Sequence, residues 1–94
     1  MPIRAYVFVE STLGKATQVA EALAKLPGVE MAHAVTGAYD VIALVEAASL
    51  SVLGELISQR IHRLPGVLKT TTNVVVEPAA ANGPSGAGGR GKRA

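Results

Sequence analysis

From Ile3 to Val9 the chain runs through β-branched and aromatic residues, with Tyr6, Val7, Phe8 and Val9 at its end. Such residues suit a pleated, buried surface and predict a first strand. Ser11 to Gly14 reads as a turn, and from Ala16 the apolar residues Val19, Ala20, Leu23 and Leu26 gather on one side of a helical wheel. Thr17, Gln18, Glu21 and Lys25 then face water. Pro27 biases Leu26 out of helical geometry and Gly28 tolerates a left-handed backbone, so the helix is expected to stop at Leu26. Val29 to Val35 and Val41 to Ala47 predict strands two and three. The loop between them, Thr36 to Asp40, contains a permissive glycine, and the arrangement predicts an antiparallel hairpin. Ser49 or Ser51 can cap a second helix whose apolar stripe is Leu50, Leu53, Leu56, Ile57, Ile61 and Leu64, with Gly54 as its weak point. Leu68 to Glu77, rich in Thr and Val, predicts strand four.

Two segments repeat. Leu64-Pro65-Gly66-Val67 restates Leu26-Pro27-Gly28-Val29, and each closes a helix and opens a strand. The chain is therefore a weak duplication of strand, amphipathic helix, stop and strand, giving βαββαβ. Right-handed crossovers place both helices on one face of a four-stranded antiparallel sheet, an α+β ferredoxin-like plan with strands one and three central.

Those central strands are apolar on both faces. Ala5, Val7 and Val9 alternate with Tyr6 and Phe8, and Val41, Ala43 and Val45 alternate with Ile42 and Leu44. Two helices cover one face, so the other needs a partner, and a second copy of the chain is the expected cover. A domain of this size also has little stability to spare as a monomer.

Composition narrows the class. The 94 residues are 49% hydrophobic and 17% charged, which allows one small folded domain. The net charge of +2 is unevenly distributed. Beyond Glu77 the charged residues are Arg90, Lys92 and Arg93, which leaves residues 1–77 slightly acidic and unlike a basic nucleic-acid module. Residues 1–77 are read as the domain, and 78–94, rich in Ala and Gly, as a disordered basic tail. With no cysteine there are no disulfides or thiolate metal ligands. No signal-peptide core or membrane-length apolar run is present, so a cytoplasmic location and no membrane partner are expected.

The order Val35-Thr36-Gly37-Ala38-Tyr39-Asp40-Val41, a helix closing in Leu64-Pro65-Gly66-Val67, then Thr70-Thr71-Thr72 resembles the effector-binding, or RAM, domain of Lrp/AsnC regulators across nearly all of residues 3–77. The resemblance implies a sheet-to-sheet dimeric α/β barrel, often built up into an octamer as a tetramer of dimers. It also implies small effectors, typically amino acids, bound between dimers. Full-length members carry an N-terminal helix-turn-helix. With strand one opening at Ile3 this chain departs from that pattern, so direct sequence-specific DNA binding is not expected. The implied role is an amino-acid sensor, or a modulator that assembles with full-length Lrp/AsnC regulators.

The resemblance carries the effector site to Gly37, Tyr39, Asp40, Thr70 and Thr72. An amino acid needs an acceptor for its ammonium and donors for its carboxylate. Asp40 can supply the first, the Gly37–Tyr39 backbone and the threonine hydroxyls the second, and Tyr39 can wall the pocket. Equally, Gly37 can serve only a turn, Asp40 can bond only its own loop, and threonine suits strands. His33 and His62 lack neighbours in metal-ligand spacing, so neither a metal site nor a cofactor is expected; His62 is placed on the solvent side of its helix and His33 near the dimer face. No catalytic constellation is evident, although a small dimeric barrel enzyme, monooxygenase- or isomerase-like, is the alternative reading.

Overall fold

The computed structural model describes residues 2–76. The elements run β1 (Ile3–Ser11), α1 (Ala16–Ala24), β2 (Val29–Ala34), β3 (Val41–Ala47), α2 (Leu50–Glu55), a π-helical segment (Leu56–Ile61) and β4 (Val67–Val74). The sheet order is β2-β3-β1-β4 with every pair antiparallel, so β1 and β3 are central and the ferredoxin-like plan holds. Strand β4 ends at Val74, paired with Ala5, so Val75 and Val76, expected in a strand reaching Glu77, lie beyond it; Glu77 itself and the 78–94 tail lie outside the described residues.

The core is the helix-facing half of the central strands. Ala5, Val7, Val9, Val41, Ala43 and Val45 are fully buried beneath Val19, Leu23, Leu53 and Ile61. The α1 stripe is as its spacing predicts, but α1 ends at Ala24 instead of Leu26; the N–H groups of Lys25 and Leu26 bond to Ala22 and Leu23, three residues back, which tightens the last turn.

The second helix departs further from expectation. Ser49 caps it, its hydroxyl accepting from the Val52 N–H at 3.1 Å. After Glu55 the backbone widens, and the His62 N–H reaches the Ile57 carbonyl five residues back. Ser58 bonds the Gly54 carbonyl at 3.0 Å, the back-bonding that perturbs a helix where glycine already weakens it. Leu50, read as core, is 61% exposed; it is the first residue of α2, next to the Ser49 cap, ahead of the turn whose Leu53 is buried.

The duplication has a structural counterpart. Gly28 and Gly66 both take a positive φ, +91° and +95°. Each glycine carbonyl accepts from a backbone N–H of the other repeat: Gly28 from Glu46 and Gly66 from Thr12, both at 2.8 Å. The two Leu-Pro-Gly-Val stops thus fasten the halves of the domain to each other crosswise.

The opposite face carries Tyr6, Phe8, Ile42 and Leu44, with Met31 and His33 from β2 and Thr71 from β4. No element of the described chain covers it, and Tyr6 is 41% exposed. His33 lies on this face, beside Ile42, as expected.

Candidate ligand-binding site

The β2–β3 loop is sewn to the end of β1. Val35 N–H bonds the Asp40 carbonyl and Asp40 N–H bonds the Val9 carbonyl, both at 2.9 Å. The β1–β4 register shifts between Glu10 and Ser11, and there Asp40 Oδ2 accepts the Ser11 N–H at 2.8 Å. The carboxylate therefore has a structural role, but it bonds the end of β1 and not merely its own loop. Its other oxygen accepts no hydrogen bond among the described residues. Tyr39 lies against Phe8, with ring centroids 5.1 Å apart and tilted by 40°, and so belongs to the open face of the sheet. Gly37 has a φ of +117° and open space around the position of a side chain.

Thr70 pairs with Val9 and Thr72 with Val7, so both share the helix-side orientation, while Thr71 pairs with Phe8 on the open side. The Thr70 hydroxyl lies 2.8 Å from His62 Nε2, joining β4 to the end of the second helix. The fold brings Gly37, Tyr39, Asp40 and Thr70 to one end of β1, but on two sides of the sheet. Thr72 sits two residues further along. Within one chain these five do not enclose a pocket.

Two other features are not visible in the sequence pattern. On the open face Arg4 forms a salt bridge with Glu30, which sits at the β-bulge between Val29 and Met31 and reaches across β3. Glu46 is the cross-strand neighbour of Arg4. The hydrogen bond from Arg4 holds the Glu30 carboxyl below its ordinary range; the hydrogen bond with Glu30 pushes the Glu46 carboxyl up, with some desolvation adding to it. A bulge is what aims Glu30 at Arg4, and alternation alone could not reveal it. The second feature is an open cleft of about 550 Å³ at the far end of β3, lined by Ala47, Ala48, Val52, Leu56 and the charged pair Glu55 and Arg60.

A four-stranded sheet whose hairpin loop carries Gly-Ala-Tyr-Asp, flanked by two helices and paired stops, is a specific combination, and the Lrp/AsnC ligand binding domain model matches residues 4–84. The chain belongs to the Lrp/AsnC family. The HTH-type transcriptional regulator LysM of Saccharolobus solfataricus is 32% identical over 75 residues, covering 79% of this chain and 52% of LysM. Among solved structures, TTHA0845 from Thermus thermophilus superposes with a TM-score of 0.75 at 33% identity, covering 80% of this chain and 94% of that one. A Neisseria meningitidis transcriptional regulator, NMB0573, solved as its L-Met complex, shares the fold (TM-score 0.72, 18% identity, 82% and 51% coverage). This Lrp/AsnC chain spans about half the length, or less, of the curated regulators it matches.

Proposed function

We propose that this chain is a non-enzymatic, cytoplasmic regulatory module that binds an amino acid and transmits its presence through assembly. The observation that carries the proposal is the bare sheet face. Tyr6, Phe8, Ile42 and Leu44 form an apolar centre with Arg4, Glu30 and Glu46 at one end and the cross-strand neighbours Glu10 and Lys69 at the other. An apolar core within a charged rim is the layout of a protein–protein interface. A second copy stacked on this face gives the dimer, and dimers can gather into an octamer or join full-length Lrp/AsnC regulators. The L-Met complex of the same-fold neighbour supports an amino acid as effector.

In this reading the free oxygen of Asp40 takes the ammonium, the loop around Gly37 approaches the carboxylate, and Tyr39 forms the wall. Thr70 and Thr72 face the helix side and stand apart from this pocket, which a neighbouring subunit closes. The effector favours whichever assembly it binds more tightly, by no more than its difference in affinity between the two.

The test combines sedimentation with a thermal-shift panel of the amino acids. The wild type is expected to sediment as a dimer or larger, and Leu44→Asp, which places a charge at the centre of the face, as a monomer. At least one amino acid should raise the melting temperature. A wild type that stays monomeric at micromolar concentration, or a panel without a single stabilising amino acid, refutes the proposal.

A further inference from the structure

The cleft at the far end of β3 lies at the opposite end of that strand from Asp40. Glu46 and Val41 are five residues apart, which in a strand is roughly 17 Å. The cleft's volume of about 550 Å³ suits a small molecule. Its floor is Ala47 and Ala48 at the end of β3 and Val52 and Leu56 from the second helix, and Val52 is 45% exposed although it faces this hollow.

The second helix contributes two residues of opposite charge to the lining, Glu55 and Arg60, beside Glu46 at the end of β3. Glu55 and Arg60 are five residues apart, a spacing that an α-helix sends to different sides. The π-helical segment closes its turns with i→i+5 bonds, so residues five apart come round to the same side, and both residues line the cleft. Neither one makes a salt bridge among the described residues, with each other or with any neighbour. The widened helix thus brings one anion and one cation to the same hollow. Gly28 fixes the opposite wall: its backbone lies so near the Glu46 carbonyl that a Cβ would approach it to 2.9 Å.

We propose that this cleft is a second ligand site, contained within one chain, for a zwitterion with an aliphatic tail, the chemistry of a leucine-like α-amino acid. Arg60 takes the carboxylate, Glu55 the ammonium, and Val52, Leu56 and the two alanines the side chain. The site shares only its ligand class with the loop of Gly37 to Asp40 and needs no second subunit.

The experiment is a two-dimensional amide NMR titration of the full chain with L-leucine, with 4-methylpentanoate (leucine without its ammonium) and with 3-methylbutylamine (leucine without its carboxylate). Leucine is expected to shift the amides of Ala47, Ala48, Val52 and Gln59 saturably, and each analogue to bind roughly tenfold or more weakly. Arg60→Ala should weaken leucine and 4-methylpentanoate but not the amine, and Glu55→Gln should do the reverse. Both residues are exposed, so the fold should tolerate either change. Leucine shifts confined to residues 37–40, or analogues that bind as tightly as leucine, overturn the cleft while leaving the sensing proposal intact. Shifts in the cleft with none at residues 37–40 uphold the cleft and overturn the loop site.

Discussion

Replacing Gly28 by alanine tests how the two halves of the domain are joined. Gly28 has a φ of +91°, and a Cβ there would stand 2.9 Å from the Glu46 carbonyl oxygen, a backbone atom that cannot swing aside. A side chain in a left-handed conformation costs about 1–2 kcal/mol. Relieving the contact moves the α1–β2 connection away from β3 and stretches the Glu46 N–H bond to the Gly28 carbonyl, now 2.8 Å, for about 1 kcal/mol more. The expected loss is about 2–3 kcal/mol, which for a domain of this size lowers the melting temperature by about 8–24 °C. Gly14→Ala is the matched control, because Gly14 also has a positive φ, +80°, with nothing within 4 Å of the Cβ position. It should lose only the conformational part. Both variants are to be unfolded in urea at one protein concentration, since assembly raises apparent stability by mass action. Midpoints that fall equally for the two would refute the claim that close approach to β3, and not backbone conformation alone, requires glycine at 28.

Other outcomes follow from single contacts. Ser49→Ala removes the acceptor for the Val52 N–H and should cost about 1 kcal/mol in urea unfolding, with Ser49→Asp restoring most of it. Asp40→Ala strips the Ser11 N–H of a charged acceptor and should cost about 1.5–3 kcal/mol; if the same carboxylate holds an effector ammonium, affinity falls about ten- to a hundredfold in calorimetry. Because Glu30 is held below its ordinary range, its stabilising contribution is present above that range and fades as pH falls through the lowered value; Glu46, pushed up, contributes below its ordinary range and loses that as pH rises through the raised value. Carboxyl NMR titration of Glu30→Gln should therefore show Glu46 returning downward toward an ordinary glutamate.

Much of the fold is legible in the chain because its local signals agree with one another. Val19, Ala20 and Leu23 share a face, Gly28 and Gly66 mark the stops, and Val7 and Phe8 alternate across a sheet buried on one side. The second helix is less legible. Its apolar spacing predicts a continuous α-helix, whereas the widening after Glu55 depends on how the segment fits against β3 and the core. The same event hides the cleft, since Glu55 and Arg60 diverge on an ideal helical wheel. At the loop, sequence identifies Asp40 but not its partner, because Ser11 lies 29 residues away and the bulge that frees its N–H is a property of strand pairing. The threonines show the limit of side-chain inventory: register with Val7 and Val9 points Thr70 and Thr72 away from Tyr39, and no composition rule states that.

The crosswise bonds from Gly28 to Glu46 and from Gly66 to Thr12 have a consequence for how the molecule comes apart. Each repeat leaves its connector's carbonyl unsatisfied until the sister repeat docks, so neither makes a self-sufficient miniature. Melting should be all-or-none, with no species in which one repeat stays native after the other has gone. The molecule behaves as a fused pair of interlocked twins.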